Sequence, residues 1–189
     1  MPAPETIFNG IMKLPPAHIL IYENGQVKIE QYWNLSFTNK IKLTEKEYCG
    51  KILQLFTDAV RRRMISDVPF GAFLSGGIDS SAVTAIMSKI STKPVKTFSI
   101  GFKDRSFNEL GYAREVAKLF HTEHYEYMVE PKTIEILPKL AWHYDEPFAD
   151  SSAIPTYYLS KMARQEVVVA LSGDGGDESF AGYDRYRAN

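Results

Sequence analysis

Residues 71–81 read GAFLSGGIDSS and carry the clearest indication of how this chain folds. It opens with a short apolar run that ends at Leu74, a pattern typical of a buried strand. Two adjacent glycines, Gly76 and Gly77, follow, and helical periodicity begins near Asp79. A strand that passes through a glycine-rich turn into a helix indicates an α/β fold.

The alternation of strand and helix patterns continues along the rest of the chain. Further β-rich runs are VKTFSIGF at 95–102, HYEYMV at 124–129 and VVVALS at 167–172. Helical stretches separate them at 80–90, 106–120 and 131–164. This alternation predicts a parallel sheet with helices on both faces. Since parallel crossovers are right-handed, the loops at the carboxyl ends of the strands should share one edge, where open α/β sheets bind ligands.

The beginning of the chain predicts a separate β-hairpin. Asn24-Gly25 is the dipeptide that best tolerates the positive φ angles of a tight turn, and it is flanked by AHILIY at 17–22 and QVKIEQYW at 26–33. A polar connector then leads to a long helical pattern over 47–65. We therefore divide the chain into a hairpin with its connector, 1–40, and an α/β portion, 41–189.

Composition narrows the class of protein. The 189 residues carry a formal net charge of −1, so the chain lacks the excess of basic residues that is typical of nucleic-acid-binding domains. Cys49 is the single cysteine, so no disulfide can form within the chain. The sequence shows neither a secretory signal nor an apolar run near the ~20 residues that a membrane helix needs. We expect a cytoplasmic protein with no nucleic-acid or membrane partner.

The first glycine turn has the composition of an anion site. Glycines let backbone N–H groups approach a phosphate closely, and the start of a helix adds a positive dipole end. Hydroxyl donors come from Ser75, Ser80 and Ser81. Asp79 would repel a phosphate unless a cation such as Mg²⁺ stood between them. The alternative is a purely structural turn in which Asp79 caps the helix.

A second glycine-rich loop follows the last β-rich run. Residues 171–183 read LSGDGGDESFAGY, so Ser172 and Gly173 should lie on the same ligand edge as the first loop. Three carboxylates stand close together in it, at Asp174, Asp177 and Glu178. Crowded like charges cost folding free energy unless a metal or a cationic substrate compensates. This loop therefore predicts a functional site.

The two loops together resemble one family. SGGIDSS at 75–81 matches the SGGxDS loop of the PP-loop ATP pyrophosphatases, whose fold is adenine nucleotide alpha-hydrolase-like. With SGDGGDE at 172–178 and Gly182-Tyr183, the chain resembles the synthetase domain of glutamine-hydrolysing asparagine synthetases and of β-lactam synthetase. Residues 145–164, DEPFADSSAIPTYYLSKMAR, are similar to the helical stretch between those loops.

The resemblance implies a reaction. ATP would activate the aspartate side chain as an acyl adenylate with release of pyrophosphate, and ammonia would attack the adenylate to give asparagine. ATP and Mg²⁺ are the implied substrate and cofactor. The alternatives are a truncated ATP-Mg-binding remnant without turnover and a ligase of the β-lactam synthetase kind that acts on another carboxylate.

The resemblance also implies residue roles. ATP and its pyrophosphate would be held by Leu74, Ser75, Gly76, Gly77, Asp79, Ser80, Ile100, Ser172 and Gly173. Mg²⁺ would be bound by Asp79 and Asp177, and the catalytic acidic position, where many relatives carry Glu, would be Asp174. Candidates for the amino-acid pocket are Asp145, Glu146, Asp150 and Ser151. Ser151 is equally well explained as the cap of the helix that starts there.

The sequence departs from the family at both ends. Pro2 follows Met1, where glutamine-hydrolysing relatives carry a nucleophilic cysteine. The family's synthetase domain also continues into helices that carry a lysine for adenylation. We therefore expect a truncated chain, whose hairpin is the tail of a lost glutaminase domain. A glutaminase domain or subunit on another chain is the expected partner for nitrogen supply.

Overall fold

The computed structural model describes residues 3–102, 109–130 and 133–186. The chain forms two compact units, one of Met1–Thr44 with Ile134–Asp150 and the other of Glu45–Thr133 with Ser151–Asn189. The domain division at residue 40 remains a prediction. Within the described ranges, every helix falls short of the length and apolar character required to cross a membrane.

The first unit contains the predicted hairpin. Strands β1 (His18–Glu23) and β2 (Gln26–Gln31) are antiparallel, with Glu23 opposite Gln26 across the turn. Asn24 and Gly25 both have positive φ, 50° and 79°. Positive φ at both central residues is what a two-residue hairpin turn requires, and Asn-Gly accepts it with little strain. The predicted hairpin is confirmed.

Helices and strands alternate through the remainder of the chain. In chain order they are α1 (Glu45–Arg63), β3 (Phe70–Phe73), α2 (Ile78–Ile90), β4 (Lys96–Phe102), α3 (Leu110–Leu119), β5 (Glu123–Val129), α4 (Thr133–Tyr144), α5 (Ala153–Ala163), β6 (Val169–Leu171) and α6 (Gly176–Phe180). A 3₁₀ turn follows at Asp184–Tyr186. The predicted helix over 106–120 begins outside the described residues, and its described part starts at Leu110.

The second unit is built on a four-stranded sheet in the order β5-β4-β3-β6, and all neighbouring strands are parallel. This arrangement confirms the predicted α/β fold. β6 is shorter than the predicted run at 167–172. Val167 still donates its backbone N–H to the carbonyl of Ala163 at the end of α5, and Val168 donates to Pro69 instead of entering the ladder.

Side chains on the two faces of the sheet meet different helices. Successive strand residues point to opposite faces. Ala72 packs with Val60 of α1 and Met87 of α2, whereas Phe73 packs with Phe98 and with Ala163 of α5. Helices therefore cover both faces, as predicted. Burial of a side chain such as Phe98, which is 0% exposed, contributes about 1.5–3 kcal/mol to folding.

The helical stretch predicted at 131–164 is two helices. Its first two residues lie outside the described ranges, and α4 ends at Tyr144, where Asp145 turns to a left-handed φ of 55°. The N-cap of α5 is Ser152 and not Ser151. The prediction that Ser151 caps this helix was therefore wrong.

Candidate active site

The first loop leaves the sheet from a strand end that β4 holds in place. Leu74 is buried, and its backbone N–H donates to the carbonyl of Phe98 at 2.9 Å. The hydroxyl of Ser99, 3% exposed, donates to the Leu74 carbonyl. Both backbone groups of Leu74 are therefore tied to β4, which sets the direction in which the loop begins.

Gly76 occupies a position where no side chain fits. Its φ is +86°, in the left-handed region that favours glycine. A β-carbon there would lie 2.5 Å from Cβ of Tyr112 and 2.6 Å from the backbone nitrogen of Ala113. The first loop consequently passes directly over the backbone of α3.

Hydroxyl groups of the first loop organise the loop itself. The Ser80 hydroxyl accepts the backbone N–H of Ser75 at 3.2 Å and lies 2.9 Å from the Ser75 hydroxyl. It is also within 3.3 Å of the Gly77 carbonyl, to which it donates. The Ser75 hydroxyl in turn accepts the Gly77 N–H at 3.1 Å. These bonds hold the turn in one conformation before any ligand arrives.

Helix α2 begins with an open N-terminus. Its N-cap is Gly77, in extended conformation, with no side-chain cap hydrogen bond. Asp79 lies in the first turn of the helix, so the interpretation of Asp79 as the cap was wrong. The first N–H groups of an α-helix have no intrahelical partner, and an uncapped end leaves them available to an anion.

The second loop packs directly on the first. A β-carbon on Gly173 would lie 2.8 Å from the backbone nitrogen of Ser80 and 3.0 Å from Cβ of Asp79. A β-carbon on Gly176 would overlap the Asp79 carboxylate, with Oδ1 at 2.7 Å. Because glycine has no side chain, Gly173 and Gly176 allow the two loops to come into contact at Asp79.

The acidic side chains of the site differ in their hydrogen-bond partners. The Ser172 hydroxyl donates to the Asp174 carboxylate at 2.7 Å, and the Tyr183 hydroxyl donates to Glu178 at 2.7 Å. Among the described residues, the carboxylates of Asp79 and Asp177 have neither a hydrogen bond nor an ion pair. The structure thus leaves free the two carboxylates that were predicted to bind the metal.

Hydrogen bonding shifts the pKa values of the Tyr183–Glu178 pair in opposite directions. The bond from Tyr183, followed by backbone bonds at Glu178 itself, lowers the pKa of Glu178. The same bond raises the pKa of Tyr183 to about 12, so the phenol stays protonated as the donor. No group of three or more metal-ligating side chains occurs in the described part of the chain, so a cation here would need ligands from nucleotide or water.

The remaining predicted site residues lie in several places. Ile100 is within β4, near its carboxyl end. Asp145, Glu146 and Asp150 belong to the first unit, and Ser151 belongs to the second. Glu146 forms a 2.7 Å ion pair with Lys13, which lowers the pKa of Glu146. Their assignment to an amino-acid pocket remains a prediction.

The structure gives supporting roles to three residues for which no role was predicted from the sequence. Ser99 holds the Leu74 carbonyl, Tyr112 passes beneath Gly76, and Tyr183 binds Glu178. Ser99 lies in the β-rich run at 95–102, where the sequence predicts a buried strand, and a buried hydroxyl needs a hydrogen-bond partner. That placement was a signal for the role of Ser99. No local sequence pattern indicates a role for Tyr112, because its contact with Gly76 is made by its Cβ and backbone atoms.

Comparison with known proteins places the chain in a family. The family model described as asparagine synthase matches residues 51–189. The putative glutamine-hydrolyzing asparagine synthetase 2 of Methanocaldococcus jannaschii is 43% identical over 97% of this chain and 36% of its own length. The glutamine-hydrolyzing asparagine synthetase 1 of Bacillus subtilis is 36% identical over 99% of this chain and 30% of its own. The chain thus spans about a third of these relatives.

Solved structures also show partial similarity. The NMN synthetase of Francisella tularensis covers 75% of this chain, with a TM-score of 0.46 and 21% identity, and 59% of that structure is matched. The NH₃-dependent NAD synthetase of Campylobacter jejuni gives a TM-score of 0.45 at 16% identity, over 71% of this chain and 60% of its own. By the family match and the relatives together, this chain belongs to the asparagine synthase family.

Proposed function

We propose that the chain is the nucleotide-binding part of an ATP-dependent, amide-forming ligase of the asparagine synthetase type. One observation carries the proposal: Gly173 and Gly176 of the second loop pack against Asp79 and Ser80 of the first. Two glycine-rich loops, both leaving carboxyl ends of neighbouring parallel strands, thereby enclose an open helix N-terminus. That is the position at which open α/β sheets bind ligands.

The phosphates of ATP would lie at the start of α2. The backbone N–H groups of Ile78 and Asp79 lie at the positive end of the helix dipole and would hold a pyrophosphate group. Gly76 and Gly77 allow the phosphates to approach the backbone closely. The backbones of Leu74 and Ile100, at and near the ends of β3 and β4, would contact the rest of the nucleotide.

The residues at the loop junction suit Mg²⁺. Asp79 and Asp177 supply carboxylate oxygens, the ligands that Mg²⁺ prefers, and neither carboxylate has another partner among the described residues. Mg²⁺ is usually bound by one or two carboxylates together with substrate phosphates, which agrees with a site of two acids. When bound, the ion would neutralise charge that develops on the departing pyrophosphate.

The chain's own residues would orient the reacting groups. We propose that an aspartate side-chain carboxylate attacks the α-phosphorus of ATP, the bond to the pyrophosphate oxygen breaks, and pyrophosphate leaves toward α2. Ammonia then attacks the acyl adenylate carbonyl and displaces AMP. Asp174, held by Ser172, lies in the second loop, where an acid could orient the substrate. A glutaminase domain or subunit would supply the ammonia.

An ATP titration tests the nucleotide site. Calorimetry with ATP and Mg²⁺ should show binding by the wild type, and Asp79→Asn should weaken it by about tenfold or more. Asp67→Asn is the matched control, because Asp67 is exposed and precedes β3, whereas the first loop follows it. Equal binding by wild type and Asp79→Asn, or no binding by either, would reject the site.

A second assay separates an active ligase from a binding remnant. ATP-Mg, aspartate and ammonia are supplied, and pyrophosphate release is followed beside an Asp79→Ala control. Release above that control, dependent on aspartate, is expected for the ligase. ATP binding without such release would show that this chain binds the nucleotide but does not turn it over.

A further inference from the structure

The segment that carries Asp177 is folded back on itself. Helix α6 contains only five residues, and the residue that follows it as its C-cap, Ala181, has a left-handed φ of 55°. The N–H of Gly182 then donates to the carbonyl of Asp177 at 3.0 Å. The Cα of Gly182 lies so close to the Asp177 carboxylate that a β-carbon there would overlap Oδ1.

A side-chain bond closes this fold. The Tyr183 hydroxyl reaches back to the Glu178 carboxylate at 2.7 Å, and the guanidinium carbon of Arg185 lies 4.3 Å from the centre of the Tyr183 ring. A helix as short as α6 has little stability of its own, because nucleation fixes several residues for few hydrogen bonds. The orientation of α6, and of Asp177 within its first turn, therefore depends on such closing contacts.

The Tyr183–Glu178 bond fixes the residue next to Asp177. Glu178 follows Asp177 directly in α6, so a bond that holds Glu178 also restrains the backbone from which the Asp177 side chain projects. We propose that Tyr183 is a positioning residue that, through Glu178, keeps the Asp177 carboxylate oriented for the cation of ATP-Mg.

This inference rests on the proposed function and makes a distinct prediction. A residue that merely stabilises the fold would affect ATP binding equally with and without Mg²⁺. A residue that positions Asp177 should change the ATP dissociation constant in the presence of Mg²⁺ and leave the constant measured without Mg²⁺ unchanged. The decisive measurement is the ratio of the ATP dissociation constants in saturating Mg²⁺ and in EDTA.

The variants are chosen to isolate the hydrogen bond. Tyr183→Phe and Glu178→Ala each remove it, and each should weaken ATP-Mg binding by about tenfold while binding in EDTA stays unchanged. Glu178→Gln keeps an oxygen that accepts from Tyr183 and should remain close to wild type. The double variant Tyr183→Phe/Glu178→Ala should be no weaker than either single variant, since both lose the same bond. Tyr186→Phe is the matched phenol control.

The outcomes are distinguishable. If Tyr183→Phe binds ATP-Mg as tightly as the wild type does, the inference about Tyr183 is overturned, while the proposed nucleotide site still stands. Equal weakening in Mg²⁺ and EDTA would assign Tyr183 a structural role only and would likewise overturn it. Absence of ATP binding by the wild type in both conditions would reject the proposed function and this inference together.

Discussion

Gly173 lies so close to Ser80 that a β-carbon on the glycine would stand 2.8 Å from the serine's backbone nitrogen. Backbone atoms cannot rotate away as the end of a flexible side chain can. We therefore expect Gly173→Ala to push the two loops apart and to cost about 1–3 kcal/mol of unfolding free energy. Thermal unfolding and an ATP titration on the same sample measure both effects.

Gly50→Ala serves as the control for that substitution. Gly50 lies within α1, and a β-carbon there would have no atom of the described residues within 4 Å. Alanine at such a helical site should stabilise the protein by about 0.5–1 kcal/mol. Unchanged stability and ATP binding in Gly173→Ala would show that the loops do not depend on this contact.

Gly76→Ala should be more damaging, because it combines backbone strain with overlap. A left-handed φ costs a non-glycine residue roughly 1–2 kcal/mol, and the new β-carbon would also meet the backbone of α3. We expect a loss of about 2 kcal/mol or more in a denaturant titration. Gly111→Ala, in an open position of the neighbouring α3, should instead preserve or raise stability.

Alanine substitutions of the adjacent residues Ser80 and Ser81 should have opposite effects on the free energy of unfolding. Ser80→Ala removes the hydroxyl that accepts the Ser75 N–H and should cost about 1–3 kcal/mol of unfolding free energy. The Ser81 hydroxyl is buried without a hydrogen-bond partner among the described residues, so Ser81→Ala should be neutral or stabilising. If chemical denaturation shows equal losses for both, the hydroxyl network does not stabilise the loop.

We expect the folded protein to lose stability in acid because of the buried side chain of His124. Burial, more than any other cause, lowers the pKa of His124, whose Nδ1 lies 2.8 Å from the hydroxyl of the fully buried Thr97. The unfolded chain therefore binds a proton at a higher pH than the folded chain does. The stability contributed by neutral His124 is complete above about pH 6.5 and is lost as the pH falls toward the lowered pKa.

Urea unfolding at pH 7.5 and pH 5.5 measures this effect. Wild type should lose more stability between the two values than His124→Gln, which cannot titrate. His143→Gln replaces an exposed histidine of α4 and should follow wild type. Identical pH dependence in wild type and His124→Gln would contradict the assignment.

Much of the fold was predictable because local patterns and tertiary structure agree. The runs at 95–102 and 124–129 became β4 and β5 within one residue of their predicted starts, and Asn24-Gly25 formed the expected turn. Disagreement arose where the end of a helix retains a residue whose side chain is typical of a strand. Val167 looks like a strand residue, yet its N–H is bound by the end of α5.

The order of elements and the two glycine-rich loops could be predicted from the sequence alone, because periodicity and glycine content are local properties. The meeting of the loops at Asp79 could not, because it joins residues far apart in the chain that the parallel pairing of β3 with β6 brings together. The bonds from Ser172 to Asp174 and from Tyr183 to Glu178 join near neighbours, but they depend on how the backbone turns between them, which residue types alone do not fix.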